Sequence, residues 1–95
     1  MEIRYTKDTY RVLIQLINYI EEKNTEGAGL RWLGRYESWL LQKLTDAAHI
    51  KTCNNATLKR VGLRCLYYNN WVIAFSIHNE YVLIEALLHQ SRIAD

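Results

Sequence analysis

The sequence predicts an α+β fold: an N-terminal strand, an antiparallel helical hairpin, and a three-stranded antiparallel meander, with the helices on one face of the sheet. Three observations predict it. Apolar residues recur at helical spacing through residues 8–44. The period then changes, and residues 58–88 are rich in β-branched and aromatic side chains divided by short polar turns. One alternating segment, with Ile3 and Tyr5 set between Glu2 and Arg4, precedes the helices.

That first alternation is the period of a half-buried strand. Thr6 can cap the following helix, because its hydroxyl can accept a backbone N–H of the first turn. From Asp8 to Lys23 the apolar residues fall at Tyr10, Leu13, Ile14, Ile17 and Ile20. This is one buried stripe, widened by Val12, Leu16 and Tyr19. Asn24 to Gly29 breaks the pattern, and Gly27 and Gly29 read as a helix–helix break. A second helix is expected from Leu30 to Leu44, with Leu33, Tyr36, Leu40 and Leu44 as its stripe and Trp32 and Trp39 beside it. So short a connection folds the two helices into an antiparallel hairpin. Thr45 to Thr57 reads as a polar loop, long enough that a further helical turn is expected around Ala47 to Ile50.

Three strands follow: Leu58–Tyr68, Trp71–Ile77 and Tyr81–Leu88. Asn69-Asn70 turns the first pair, since Asn tolerates the positive φ of a tight hairpin. His78-Asn79-Glu80 turns the second. These turns set a register in which Tyr68 faces Trp71, Arg64 faces Phe75, and Phe75 faces Ile84. One face then carries Leu66, Ile73, Phe75, Ile77, Val82, Ile84 and Leu88 and is expected against the helices, with Arg60 and Arg64 at its margin. The other carries Val61, Leu63, Cys65, Tyr67, Val72, Ala74, Ser76, Glu85 and His89. This mixed face reads as a binding surface; the competing reading is that residues 45–57 cover it.

The 95 residues make one domain, spanning 1–95, with one modest core. Net charge is only +2, but its distribution is uneven. No acid lies between Asp46 and Glu80, a window that holds Lys51, Lys59, Arg60 and Arg64, with His49 and His78. That suits an acidic partner, a nucleic acid or an acidic peptide; a solvated strand face is the competing reading. Cys53 and Cys65 match no metal spacing and are too few for a disulfide framework, so reduced thiols in a cytosolic protein are expected. The opening residues lack an apolar signal region, and no apolar run spans a membrane, so a soluble cytoplasmic protein is expected.

The sequence contains no Gly-rich phosphate loop, GxSxG, C-x-x-C or HExxH, and neither metal nor cofactor is expected. Trp32, Tyr36 and Trp39 lie at helical spacing; they pack the hairpin, or form the rim of a groove that receives a partner. His89 reads first as a strand-end residue.

The stretch LRCLYYNNWVIAFSIHNEYVLIEALLHQSR, together with the opening IRYTKDTYRVLIQLINYIEEKN, resembles the RelE/ParE toxin superfamily of bacterial type II toxin–antitoxin systems. The matching features are Arg64 in a strand, the alternating segment with Trp71, Phe75 and Ile77, the polar turn at 78–80, an apolar strand, and a tail with His89 and Arg92. The resemblance covers the whole chain and rests on pattern rather than on an invariant motif.

The resemblance implies a cytoplasmic toxin that inhibits growth and is held in check by a cognate antitoxin. RelE-type members cleave mRNA at the ribosome; ParE-type members, often associated with plasmid stabilisation, poison DNA gyrase. RNA cleavage through the 2′-OH needs an acid and a base, and cations for the phosphate. Where RelE-type enzymes place basic groups on the open sheet face, this chain has Leu63, Cys65 and Val72. Glu85, His89 and Arg92 remain as the catalytic set if the protein is a ribonuclease. The ParE-like branch is therefore favoured, with ribosome-dependent mRNA cleavage and an inactive homologue as alternatives. Partner-binding residues are expected among Lys59, Arg60, Arg64, Trp32, Tyr36, Trp39, His89 and Arg92. The antitoxin's disordered segment would fold on as a helix or an added strand.

Overall fold

The computed structural model describes residues 2–90. Its order is β1 (Glu2–Tyr5), α1 (Lys7–Lys23), α2 (Ala28–Leu44), a 3-10 turn (Ala47–His49), α3 (Ala56–Arg60), β2 (Arg64–Tyr68), β3 (Trp71–Ile77) and β4 (Tyr81–His89). The strands form one four-stranded sheet in the order β1-β4-β3-β2. β2, β3 and β4 are the antiparallel meander, and β1 joins parallel to β4.

Each helix start has an identifiable cause. Thr6 caps α1, its Oγ1 accepting the Thr9 N–H at 3.2 Å and donating to the Thr9 hydroxyl at 2.7 Å. That second bond satisfies Thr9, which is buried. α2 begins two residues earlier than the apolar stripe predicts. Its cap is Gly27, at φ 84°, and Glu21 of α1 reaches across to the exposed backbone. The Glu21 carboxylate accepts the Gly27 N–H at 2.7 Å and the Gly29 N–H at 2.9 Å. These two backbone donors hold its carboxyl below the usual carboxylate range. Gly29 also lets the helices touch, since a Cβ there would stand 2.6 Å from the Ile17 carbonyl oxygen.

The main core lies between the hairpin and the sheet. Tyr36, Leu40 and Leu44 of α2 and Leu13 of α1 meet Ile73, Phe75, Val82, Ile84 and Leu87. Phe75, Ile73, Val82 and Ile84 are fully buried. The predicted pairings Tyr68–Trp71, Arg64–Phe75 and Phe75–Ile84 are all present. Asn69 carries the positive φ (54°) of the first turn. The second turn closes through the His78 N–H donating to the Tyr81 carbonyl at 2.8 Å.

Three expectations need correction. First, residues 58–63 are not strand. Asn55 caps α3, its Oδ1 accepting the Thr57 and Leu58 N–H groups. Gly62, at φ 78°, then ends the helix. The Leu63 N–H bonds to the Leu58 carbonyl and the Gly62 N–H to the Lys59 carbonyl, with Leu58 and Leu63 packed together. That is a glycine-terminated helix end of the Schellman type.

Second, Cys53 and Cys65 are joined in a disulfide, not free thiols; their Cα atoms lie 4.8 Å apart. The Cys53 N–H donates to the Leu63 carbonyl, and Thr52 bridges Arg64 as an antiparallel partner. Residues 51–53 thus lie along the outer edge of the sheet where β2 begins, which brings the two cysteines together.

Third, the far end of β4 faces the other way. Ala74 pairs with Ala86 but Phe75 with Ile84, so Glu85 is an extra residue in a β-bulge. Beyond it, Leu87 enters the main core, Leu88 stands opposite Val72, and His89 stands opposite Trp71. The expected faces of Leu88 and His89 are exchanged, because side chains alternate with a period of two. Ile77, also assigned to the covered face, is exposed at the strand end.

Candidate partner-binding surfaces

The sheet face turned away from the hairpin is largely closed. Cys53, Leu63, Cys65, Val72 and Ala74 are buried there in a second small cluster, with Leu58 and Ala86 packed against it. α3 and residues 51–55 supply the lid, so the face is covered as the competing reading has it, but by residues 51–63 rather than 45–57. A cleft of about 330 Å³ remains beside it, lined by Asn54, Asn55, Leu58, Tyr67, Val72 and Gln90. Tyr67 is half-exposed on this side.

A larger groove, about 750 Å³, runs between α1 and the ends of β3 and β4. Val12, Leu16, Tyr19 and Ile20 form its helical wall, and Trp71, Leu87 and His89 its sheet wall. The bulge at Glu85 creates this wall by turning His89 toward Trp71, where the two rings meet edge-to-face at 5.2 Å. Tyr19 is 58% exposed, so an apolar partner has aromatic surface to cover.

The predicted residues do not converge on one spot. Lys59 and Arg60 lie in the last turn of α3, exposed to solvent. Arg64 is half-buried, and its guanidinium donates to the Ile50 carbonyl, so it works as a strut between β2 and the loop. Tyr36 has no accessible surface. Trp32 and Trp39 are half-buried around Tyr68: Trp32 stacks on Tyr36 at 5.2 Å, and Trp39 lies 4.7 Å from Tyr68. The hairpin-packing reading of these aromatics describes what they do here. Arg92 lies outside the described residues.

Burial pushes the Tyr36 hydroxyl well above the usual tyrosine range, and raises Tyr5 as well. The two hydroxyls share a hydrogen bond of 3.2 Å. They join β1 to α2 and are structural.

As a catalytic pair, Glu85 and His89 are poorly placed. Four residues of strand separate their Cα atoms by about 13 Å. Glu85 is exposed at the bulge while His89 lies against Trp71. Neither can serve the other as orienting partner at hydrogen-bond distance. Among the described residues, no group of three or more His, Cys, Asp or Glu is placed to hold a metal ion, and no helix is long and apolar enough to cross a membrane.

Sequence reasoning did not place His89 in this groove, because it set His89 on the other face of the sheet. It also missed Asn55, although an Asn ahead of Ala-Thr-Leu-Lys-Arg is a recognisable helix-start signal. No protein-family model matches the chain, and no curated protein matches it.

Proposed function

We propose that this protein is a ParE-like toxin of a type II toxin–antitoxin pair, acting by binding protein, with DNA gyrase as target and the cytoplasm as site of action. The observation that carries the preference for binding over RNA cleavage is the closed far face of the sheet. Apolar side chains, a disulfide and α3 occupy the position where a nuclease of this kind needs solvent-facing basic and acid–base groups. The separation of Glu85 from His89 supports the same preference.

The antitoxin is proposed to contribute an amphipathic helix that lays its apolar side in the groove of Val12, Leu16, Tyr19 and Trp71. Lys59 and Arg60, on a separate part of the surface, offer charge to an acidic stretch elsewhere in the partner. In the cytoplasm, where thiols are kept reduced, Cys53 and Cys65 would spend part of the protein's life unpaired.

The test uses purified protein. It is added to a translation reaction with ribosomes and mRNA, and separately to gyrase with supercoiled DNA. The proposal expects intact mRNA and accumulated gyrase-linked DNA breaks. Cleavage of mRNA at the ribosome would replace it with the endoribonuclease reading, to be pursued through His89, Glu85 and Arg92. Inactivity in both, and in growing cells, would make the chain an inactive homologue.

A further inference from the structure

The two edges of the sheet are not equivalent. At the β2 edge, Thr52 already pairs with Arg64, and the Cys65 N–H donates to the Lys51 carbonyl at 3.3 Å. At the β1 edge no strand is paired among the described residues. The Glu2 N–H donates to the Glu80 carbonyl and the Thr6 N–H to the Ile84 carbonyl, so even-numbered residues of β1 turn their backbone toward β4. Ile3 and Tyr5 therefore turn theirs outward. An open edge of this kind is a template for another strand.

The side chains of β1 are sorted by face. Ile3 and Tyr5 pack on the main core. Glu2 and Arg4 lie on the opposite face, paired at 3.0 Å, with the Arg4 guanidinium 4.2 Å from the centre of the Tyr81 ring. Beside the edge on the helix side is a cleft of about 280 Å³ lined by Ile3, Tyr5, Leu40 and Leu41, with Glu2 and Glu37 at its rim. Leu41 is 57% exposed there. An added strand would have to supply apolar groups to this shelf and opposite charges to Glu2 and Arg4.

We infer that the strand that fits is β1 of a second copy of this chain, paired antiparallel about a twofold axis through Ile3. In that register the two Ile3 residues exchange backbone hydrogen bonds. Glu2 of each copy then stands opposite Arg4 of the other, so the charge pattern complements itself. The Ile3 side chain of one copy extends the apolar shelf of the other beside Leu41. The neighbouring register, centred on Arg4, sets Arg4 against Arg4 and is disfavoured by like charge. The product is a closed dimer with one continuous eight-stranded sheet, and it leaves the α1–β4 groove open.

The test reads mass against concentration by analytical ultracentrifugation. The wild-type chain should move from 11.3 kDa toward twice that mass as concentration rises. Arg4→Glu makes both positions acidic, and Glu2→Arg makes both basic; each variant alone should remain at the lower mass. Mixing the two should restore the doubled species. The exchanged double variant, Glu2→Arg with Arg4→Glu, should associate as the wild type does, which also shows that these exposed positions tolerate the changes. A wild type that stays monomeric throughout, single variants that associate as it does, or a mixture that stays monomeric would each overturn the inference.

Discussion

Tyr36 shows how one buried hydroxyl couples stability to pH. Its folded-state pKa is raised above that of an unfolded tyrosine, about 10. Below that pH both states keep the proton and the full stability is present. Above it the unfolded chain releases the proton while the folded chain holds it, so stability falls as pH rises. Urea midpoints should therefore decline above pH ~10, and Tyr36→Phe should flatten the decline; a parallel decline in the variant would contradict the assignment. At neutral pH the same variant loses one hydrogen bond, worth about 0.5–1.5 kcal/mol. Gly29 is a different constraint. Gly29→Ala drives a Cβ toward the Ile17 carbonyl and should cost about 1–3 kcal/mol by forcing α1 and α2 apart. Glu21 acts in the opposite pH direction. Its carboxyl is held below its ordinary range, so its contribution is present at neutral pH and lost as acid protonates it. Thermal melts of Glu21→Gln should show a lower midpoint than the wild type at pH 7, with the gap closing in acid.

Among the elements, α3 and the disulfide act together, because both hold residues 51–63 over the far face of the sheet. Removing the bond through Cys53→Ser and Cys65→Ser should cost about 2–3 kcal/mol, given the short loop it closes. A reducing agent should lower the wild-type urea midpoint to that of the double variant and leave the variant unmoved. Much of the element order was legible beforehand. The stripes at Leu13–Ile17–Ile20 and Leu33–Tyr36–Leu40 have one period only, and Asn69-Asn70 admits one tight turn. The failures have specific physical causes. Leu58 to Leu63 has a single β-favouring residue, Val61, and the cap at Asn55 with the stop at Gly62 makes the start of this stretch helical instead. The run from Ile84 to His89 is apolar on both sides, so nothing in it marks where a bulge falls. A one-residue shift there exchanged Leu88 and His89, and with them the composition of the α1–β4 groove. The cysteine pair could not be read because its closeness depends on the loop folding back to the sheet edge.

At the scale of the whole molecule, the hairpin covers one sheet face, and the shorter lid of residues 51–63 covers most of the other. What remains open is distributed: an apolar groove along α1, a basic end on α3, and the β1 edge. Under the proposed binding role, these are the surfaces that an antitoxin or a target would hold. Dispersed candidate residues are the molecular form of the same point, since Lys59, Trp39 and His89 sit on separate parts of the surface. Their separation was not visible in the sequence, where each could be judged only by type and spacing. The most direct measurement is induction of the chain alone in a bacterial host, following growth, mRNA integrity and gyrase-linked DNA breaks in the same culture. The proposal predicts arrest with intact mRNA and accumulating breaks, relieved by co-expression of the cognate antitoxin. Arrest with mRNA cut at the ribosome and no breaks would contradict it.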